Sequence, residues 1–228
     1  PNRARWNAAT AHLEGMKQGV ASALLYADPV VNPGTDMKKF PGFHYFYKDN
    51  TTGNQKRNII DAGGNDSDLT SIFLVTWGPA TYGIFNQGTK WGVEHTDRGI
   101  QDIQDEDGKV MTAYADLWEQ NIGLVIEDWQ ANVRIANIDV SAVKANTGGA
   151  RDKLIDLMIE AYHLRRGPGR ARWYVNSTIA TALDIAAKDS VKNSTLGYAD
   201  IGGKVVTTFK QLPVRNMDQL AITEARVV

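Results

Sequence analysis

The sequence predicts an α+β fold, on three observations. Apolar residues recur at helical spacing over residues 6–26, 150–164 and from Ser177 onward. They fall into strand-like runs at several places between and after these segments. No repeating strand–helix–strand rhythm links the two kinds of segment. With 228 residues, the chain can form one large domain or two closely joined lobes around a sizeable core.

Trp6, Leu13, Met16, Val20 and Leu24 form one apolar stripe along a helix over 6–26. Asp28-Pro29 stops that helix, because proline disfavours helical backbone at the residue before it. Residues 27–69 read as irregular, punctuated by Pro29, Pro33, Pro41, Gly53, Gly63 and Gly64. Within them, His44-Tyr45-Phe46-Tyr47 is either a short strand or an apolar anchor for a neighbouring chain. Residues 72–75 predict a buried strand and residues 82–85 a shorter one. Residues 91–103 and 109–114 flank a polar segment ending in Asp107-Gly108, which reads as a β-hairpin tip. Residues 124–139 read as one half-exposed strand. Trp129, Ala131, Val133 and Ile135 share one face, and Asp128, Gln130, Asn132 and Arg134 the other. The phase breaks at Asn137-Ile138, which predicts a bulge or the strand's end.

Residues 150–164 give the strongest helix. Apolar side chains cover most of its circumference, which predicts burial on several sides. Gly167-Pro168-Gly169 follows as its terminator. Residues 173–175 predict a strand, after which Asn176 or Ser177 caps a helix carrying Ile179, Ala182, Leu183 and Ala186. Strands are expected at 205–209, 212–215 and 220–223.

The chemistry the sequence lacks narrows the function. There is no cysteine, so disulfides, thiolate nucleophiles and thiolate metal sites are excluded. Lys plus Arg total 25 against 26 for Asp plus Glu, without the basic excess of a dedicated nucleic-acid binder. No apolar run reaches the ~20 residues of a membrane helix, so no membrane partner is expected. No phosphate loop, dinucleotide fingerprint, His-Glu-x-x-His motif or nucleophile elbow occurs. Asn146-Thr147-Gly148-Gly149 suits a helix cap and hinge better than an anion cradle. If Gly108 is set as the glycine of a calcium loop, Ile103 and Tyr114 fall at ligand positions, and neither side chain can serve. Glu94-His95-Thr96-Asp97 is a polar cluster that could do acid–base work, but most such clusters are turns or interface hydrogen bonds. Neither cofactor nor metal is expected, and the chain reads as a structural protein rather than an enzyme. Arg165, Arg166, Arg170 and Arg172 form a basic group around the Gly-Pro-Gly turn. They either contact phosphates or complement the end of the preceding helix.

From Leu124 through Val125-Ile126-Glu127-Asp128-Trp129-Gln130-Ala131-Asn132-Val133-Arg134-Ile135-Ala136-Asn137-Ile138 to Asp139, the chain resembles major capsid proteins of tailed bacteriophages and prophages with the Hong Kong 97-like fold. Further matching stretches are Asp61 to Ser71, Thr76-Trp77-Gly78, Thr207 to Arg215, and Asp218 with Glu224-Ala225, so the likeness is distributed over residues 10–228. Gln130 departs from the family's usual arginine.

The resemblance implies one subunit over residues 1–228 with intertwined peripheral and axial subdomains. It also implies a spine helix at 150–164 and an extended β-hairpin arm at either 27–70 or 91–115. The expected N-terminal arm is not evident, which implies that it is missing or cleaved. Hexamers and pentamers in an icosahedral shell would enclose double-stranded DNA bound non-specifically. Scaffolding, portal or decoration proteins would be further partners. Assembly would occur in the host bacterial cytoplasm, and the virion would be the destination. A DNA-binding structural module of a phage is the alternative reading. Tyr45, Tyr47, Trp91, Asp128, Arg134 and Asp139 are the candidate inter-subunit contacts. Arg165, Arg166, Arg170 and Arg172 are the candidate DNA-facing cations. Trp6, Trp118 and Trp129 are further aromatic anchors.

Overall fold

The computed structural model describes residues 2–29, 39–49, 53–85, 93–104, 107–188, 195–200, 203 and 205–227. The chain divides into two compact units, one formed by residues 1–82 and 126–228, the other by residues 83–125.

The first unit is built on a seven-stranded mixed sheet. Its strands are β1 (Ile59–Asp61), β2 (Leu69–Trp77), β7 (Val133–Asp139), β8 (Arg170–Val175), β9 (Leu196–Asp200), β10 (Val205–Phe209) and β11 (Leu212–Asn216). The order is β1-β7-β2-β8-β11-β10-β9. β1 runs parallel to β7 and β8 parallel to β11, while β2 is antiparallel to both of its neighbours. β2 is buried along almost its whole length, as expected for a strand covered on both faces. Its alternate side chains go to different layers. Ile72 and Leu74 join Val133, Ile135, Trp173 and Val175 in a core closed by helices α3 (Val140–Ala145), α4 (Ala150–Leu164) and α5 (Ser177–Lys188). Phe73 points the other way, towards Phe43, with ring centroids 6.1 Å apart. That second face is covered by the end of α1 (Asn2–Tyr26), the one-turn helix α2 (Phe43–Phe46) and the C-terminal residues.

Most predicted elements form: α1, β2, β3 (Thr81–Phe85), β8, α5, β10 and β11 lie where the patterns place them. Asn176 caps α5, its Oδ1 accepting from the Thr178 N–H at 3.0 Å. Asn146 takes a left-handed conformation (φ 57°), and its side chain accepts from the Arg151 N–H. The helix-cap reading of this segment therefore holds.

Five expectations are corrected. Residues 124–139 are not one strand. β6 (Ile122–Ile126) and β7 are separated by a 3-10 turn, Trp129–Ala131, which Asp128 caps by accepting from the Gln130 N–H. Nor is β7 half-exposed. Its period-two alternation is real, but its polar face is roofed by other parts of the same chain. The expected break is a bulge, with Ala136 and Asn137 facing the single residue Ser71 and Asn137 at φ 58°. The His44–Tyr47 cluster is mostly helix rather than strand. Helix α4 is amphipathic rather than buried all round: Leu154, Ile155, Met158 and Ala161 are covered, while Asp152, Lys153, Asp156 and Glu160 are exposed. Residues 220–223 do not form a strand. They follow a bent course beside β2, tied by Thr70 Oγ1 donating to the Ala221 carbonyl and the Glu224 N–H donating to Leu69.

The second unit contains a long antiparallel hairpin, β4 (Glu94–Gln104) with β5 (Val110–Glu119), paired from Glu94 opposite Glu119 to Gln104 opposite Val110. Gly108 in its turn has φ 78°, which an aspartyl-glycyl tip supplies without strain. Arg98 is the extra residue of a bulge beside Gly99 (φ 73°). The segments of β3 and β6 that belong to this unit pair as a second two-stranded sheet.

Candidate interaction surfaces and the buried arginine cluster

Arg134 is fully buried. An arginine in that position must find acceptors for all its donors or destabilise the fold. Its Nε donates to Ser71 Oγ at 3.0 Å, its Nη1 to the Tyr47 carbonyl at 2.7 Å, and its Nη2 to Glu224 Oε2 at 2.8 Å. Phe73 lies against the guanidinium, 5.4 Å from its ring centroid. Ser71 also donates to Glu224 Oε2, and Tyr26 donates to Glu224 Oε1 at 2.5 Å. The Tyr26 hydroxyl in turn accepts from the Ala221 N–H. Burial, and then Glu224, raises the Tyr26 pKa well above the ordinary phenol value. Burial lowers the proton affinity of Arg134, while Glu224 opposes that shift and keeps the charge in place. One ion pair thus ties together α1, the residue after α2, β2, β7 and the C-terminal tail.

The other candidate contact residues divide by location. Tyr47 is buried with its hydroxyl donating to the Trp129 carbonyl, so it and Arg134 are corrected to internal structural roles. Asp128 is occupied by its cap. Asp139 caps α3, accepting from the Ala142 N–H at 2.7 Å. Tyr45 is half-buried, edge-on to Phe46 and beneath the Lys48 ammonium. Trp91 lies outside the described residues. Trp6 is 70% exposed on α1.

His95 pairs with Asp116 across the hairpin at 2.8 Å and stacks on Trp118, with centroids 4.1 Å apart. Asp97 instead accepts from the Gly99 N–H. Asp66, Asp68 and Asp139 bring carboxylate oxygens within 4.8 Å of one another, the one such group among the described residues. The sequence reading did not single it out as a group. Asp68 and Asp139 already receive backbone N–H groups from Ser141 and Ala142.

The four arginines after α4 gather at one end of the sheet. Arg165 Nη1 donates to Thr76, and Arg170 stands opposite Trp77 at the start of β8. Arg166 and Arg170 are exposed, and Arg165 and Arg172 half-buried. Glu224, Tyr26 and Ser71 are the members of the arginine cluster that sequence reasoning missed. The available signal was an arginine between two apolar strand residues, which demands a buried acid somewhere in the chain.

The description "Major capsid protein GP7" matches residues 1–228, the whole of the chain. The chain belongs to the GP7 major capsid protein family. It is also similar to a chain in a near-atomic-resolution structure of bacteriophage Epsilon15. The identity is 29% and the TM-score 0.69, covering 98% of this chain and 67% of that one. No curated protein matches. As a GP7 family member with an α+β, Hong Kong 97-like fold, the protein is a shell-forming component of a phage virion, made in many copies.

Proposed function

We propose that the protein packs as hexamers and pentamers into an icosahedral head enclosing double-stranded DNA, as a structural subunit without catalytic activity. Assembly takes place in the host cytoplasm, with scaffolding, portal or decoration proteins as further partners. In this reading residues 1–228 form one subunit with intertwined peripheral and axial parts, α4 is the spine helix, and Tyr45 is an inter-subunit contact. The arm is the β4–β5 hairpin, since the described residues of the 27–70 alternative form no hairpin.

One observation carries the reading. The hairpin leaves Ile100, Ile103, Val110, Met111 and Tyr114 between 45% and 63% exposed, in cross-strand pairs such as Ile100 with Tyr114 and Ile103 with Met111. Adjacent positions alternate sides, so both faces carry apolar side chains. An isolated two-stranded hairpin is marginal in water, and exposed apolar surface of this kind marks an interaction site.

The test is negative-stain microscopy and light scattering of the full-length protein beside a variant whose residues 98–115 are replaced by a short Gly-Ser turn. Shells or capsomers from the first, and folded monomers from the second, are expected. A full-length protein that stays monomeric at high concentration would sink the proposal.

A further inference from the structure

Charge is divided unevenly along this nearly neutral chain. Residues 94–119 hold eight Asp or Glu against Arg98 and Lys109, a net −6; the whole chain is −1, so the remainder is +5. Part of that excess is concentrated. The Asn58 Nδ2 and the Arg166 N–H both donate to the Gln130 carbonyl, at 3.0 and 2.9 Å. That shared acceptor brings the exposed Lys56 and Arg57 of the 3-10 turn Gln55–Asn58 beside exposed Arg166. Arg165 and Arg170 continue the group along the ends of β2 and β8 through Thr76 and Trp77. The side chains of Arg57, Arg166 and Arg170 have no ion pair among the described residues. The nearby acids are engaged, Glu127 by the Tyr82 hydroxyl and Asp128 by its cap.

We propose that this basic ridge seats the acidic β4–β5 hairpin of a second copy of the chain, an inference that rests on the shell reading. Two arguments favour a second copy over nucleic acid. The complementary charge is present on every copy, and it lies on the segment whose apolar faces need a cover. Strands of eleven and ten residues also give the hairpin a reach of about 35 Å, enough to cross a neighbouring subunit. Opposed charge patches steer encounter and fix which surfaces meet.

The experiment reverses charge on each side and then on both. The ridge variant is Arg57→Glu/Arg166→Glu/Arg170→Glu. The hairpin variant is Asp102→Lys/Asp107→Lys/Glu119→Lys. All six positions are exposed, and thermal melting checks that each variant folds; Arg→Gln versions of the ridge stand in should reversal prevent folding. Each single-side variant is expected to raise the critical concentration for assembly by roughly tenfold or more. The double-side variant should recover most of that loss, and wild-type assembly should weaken as NaCl rises from roughly 0.05 to 0.5 M. Loss without recovery overturns the inference. So does a ridge variant that assembles normally but holds duplex DNA less tightly, which would assign the ridge to phosphates. A wild type that never assembles instead refutes the shell reading beneath it.

Discussion

The arginine cluster and the β4–β5 hairpin handle polar and apolar groups in opposite ways. Around Arg134, every charge and hydroxyl finds its partner inside the chain, over separations of up to 198 residues. On the hairpin the contacts are local, a ladder between neighbouring strands, while apolar side chains stay exposed. The first region makes the subunit self-sufficient. The second leaves apolar surface uncovered. With the hairpin as the proposed assembly arm, the comparison predicts that stability and assembly reside in different residues and can be altered separately.

The sharpest attempt to break that separation is Glu224→Ala. It strands a buried guanidinium and should cost about 3–5 kcal/mol, read as a drop in denaturation midpoint. Replacing both partners, Arg134→Met with Glu224→Leu, should cost much less than the single change, because no uncompensated charge remains. A smaller loss, roughly 1–3 kcal/mol, is expected from Gly64→Ala, since a Cβ there would sit 2.4 Å from the Asn137 carbonyl oxygen.

Acid acts on the same region. Burial, helped by the Arg134 charge, lowers the His44 pKa from 6.5 to about 4. Between those values the unfolded chain binds more protons, so the contribution of His44 is full above pH 6.5 and declines as pH falls towards 4. Thermal melts across that window should show the decline, and His44→Phe should flatten it. The smallest effect on stability belongs to the hairpin. Ile100→Ser with Tyr114→Ser should move the melting midpoint by no more than about 0.5 kcal/mol equivalent, yet abolish assembly. If that pair proved as destabilising as Glu224→Ala, the two regions would not be separable.

Much of the fold was legible because its signals are local. Asp107-Gly108 announces a turn, Asn176 a helix start, and the apolar run at Ile72 a covered strand. The phase break at Asn137 was legible for the same reason, since a bulge disturbs side-chain alternation in the strand that contains it. What stayed hidden depends on partners distant in sequence. Alternation at Arg134 was visible, but nothing near it says that Tyr26 and Glu224 roof the polar face. The break before β7 was masked because Asp128 and Gln130, which make the turn, also fit strand alternation. Strand β9 escaped notice because Gly197 and alternating small residues give a weak pattern. The basic group was found, but its extension to Lys56 and Arg57 depends on the shared Gln130 carbonyl, a contact between segments more than 70 residues apart.

The Arg134–Glu224 pair also sets an order of events during synthesis. Strand β7 leaves the ribosome some ninety residues before its counter-ion exists, so the sheet cannot close over the guanidinium until residue 224 has been made. A chain interrupted before residue 224 carries an unsatisfied cation where its core should be. Such chains lack the acid that completes the cluster, so this part of the fold depends on residue 224 reaching its place after the strands of the sheet are made.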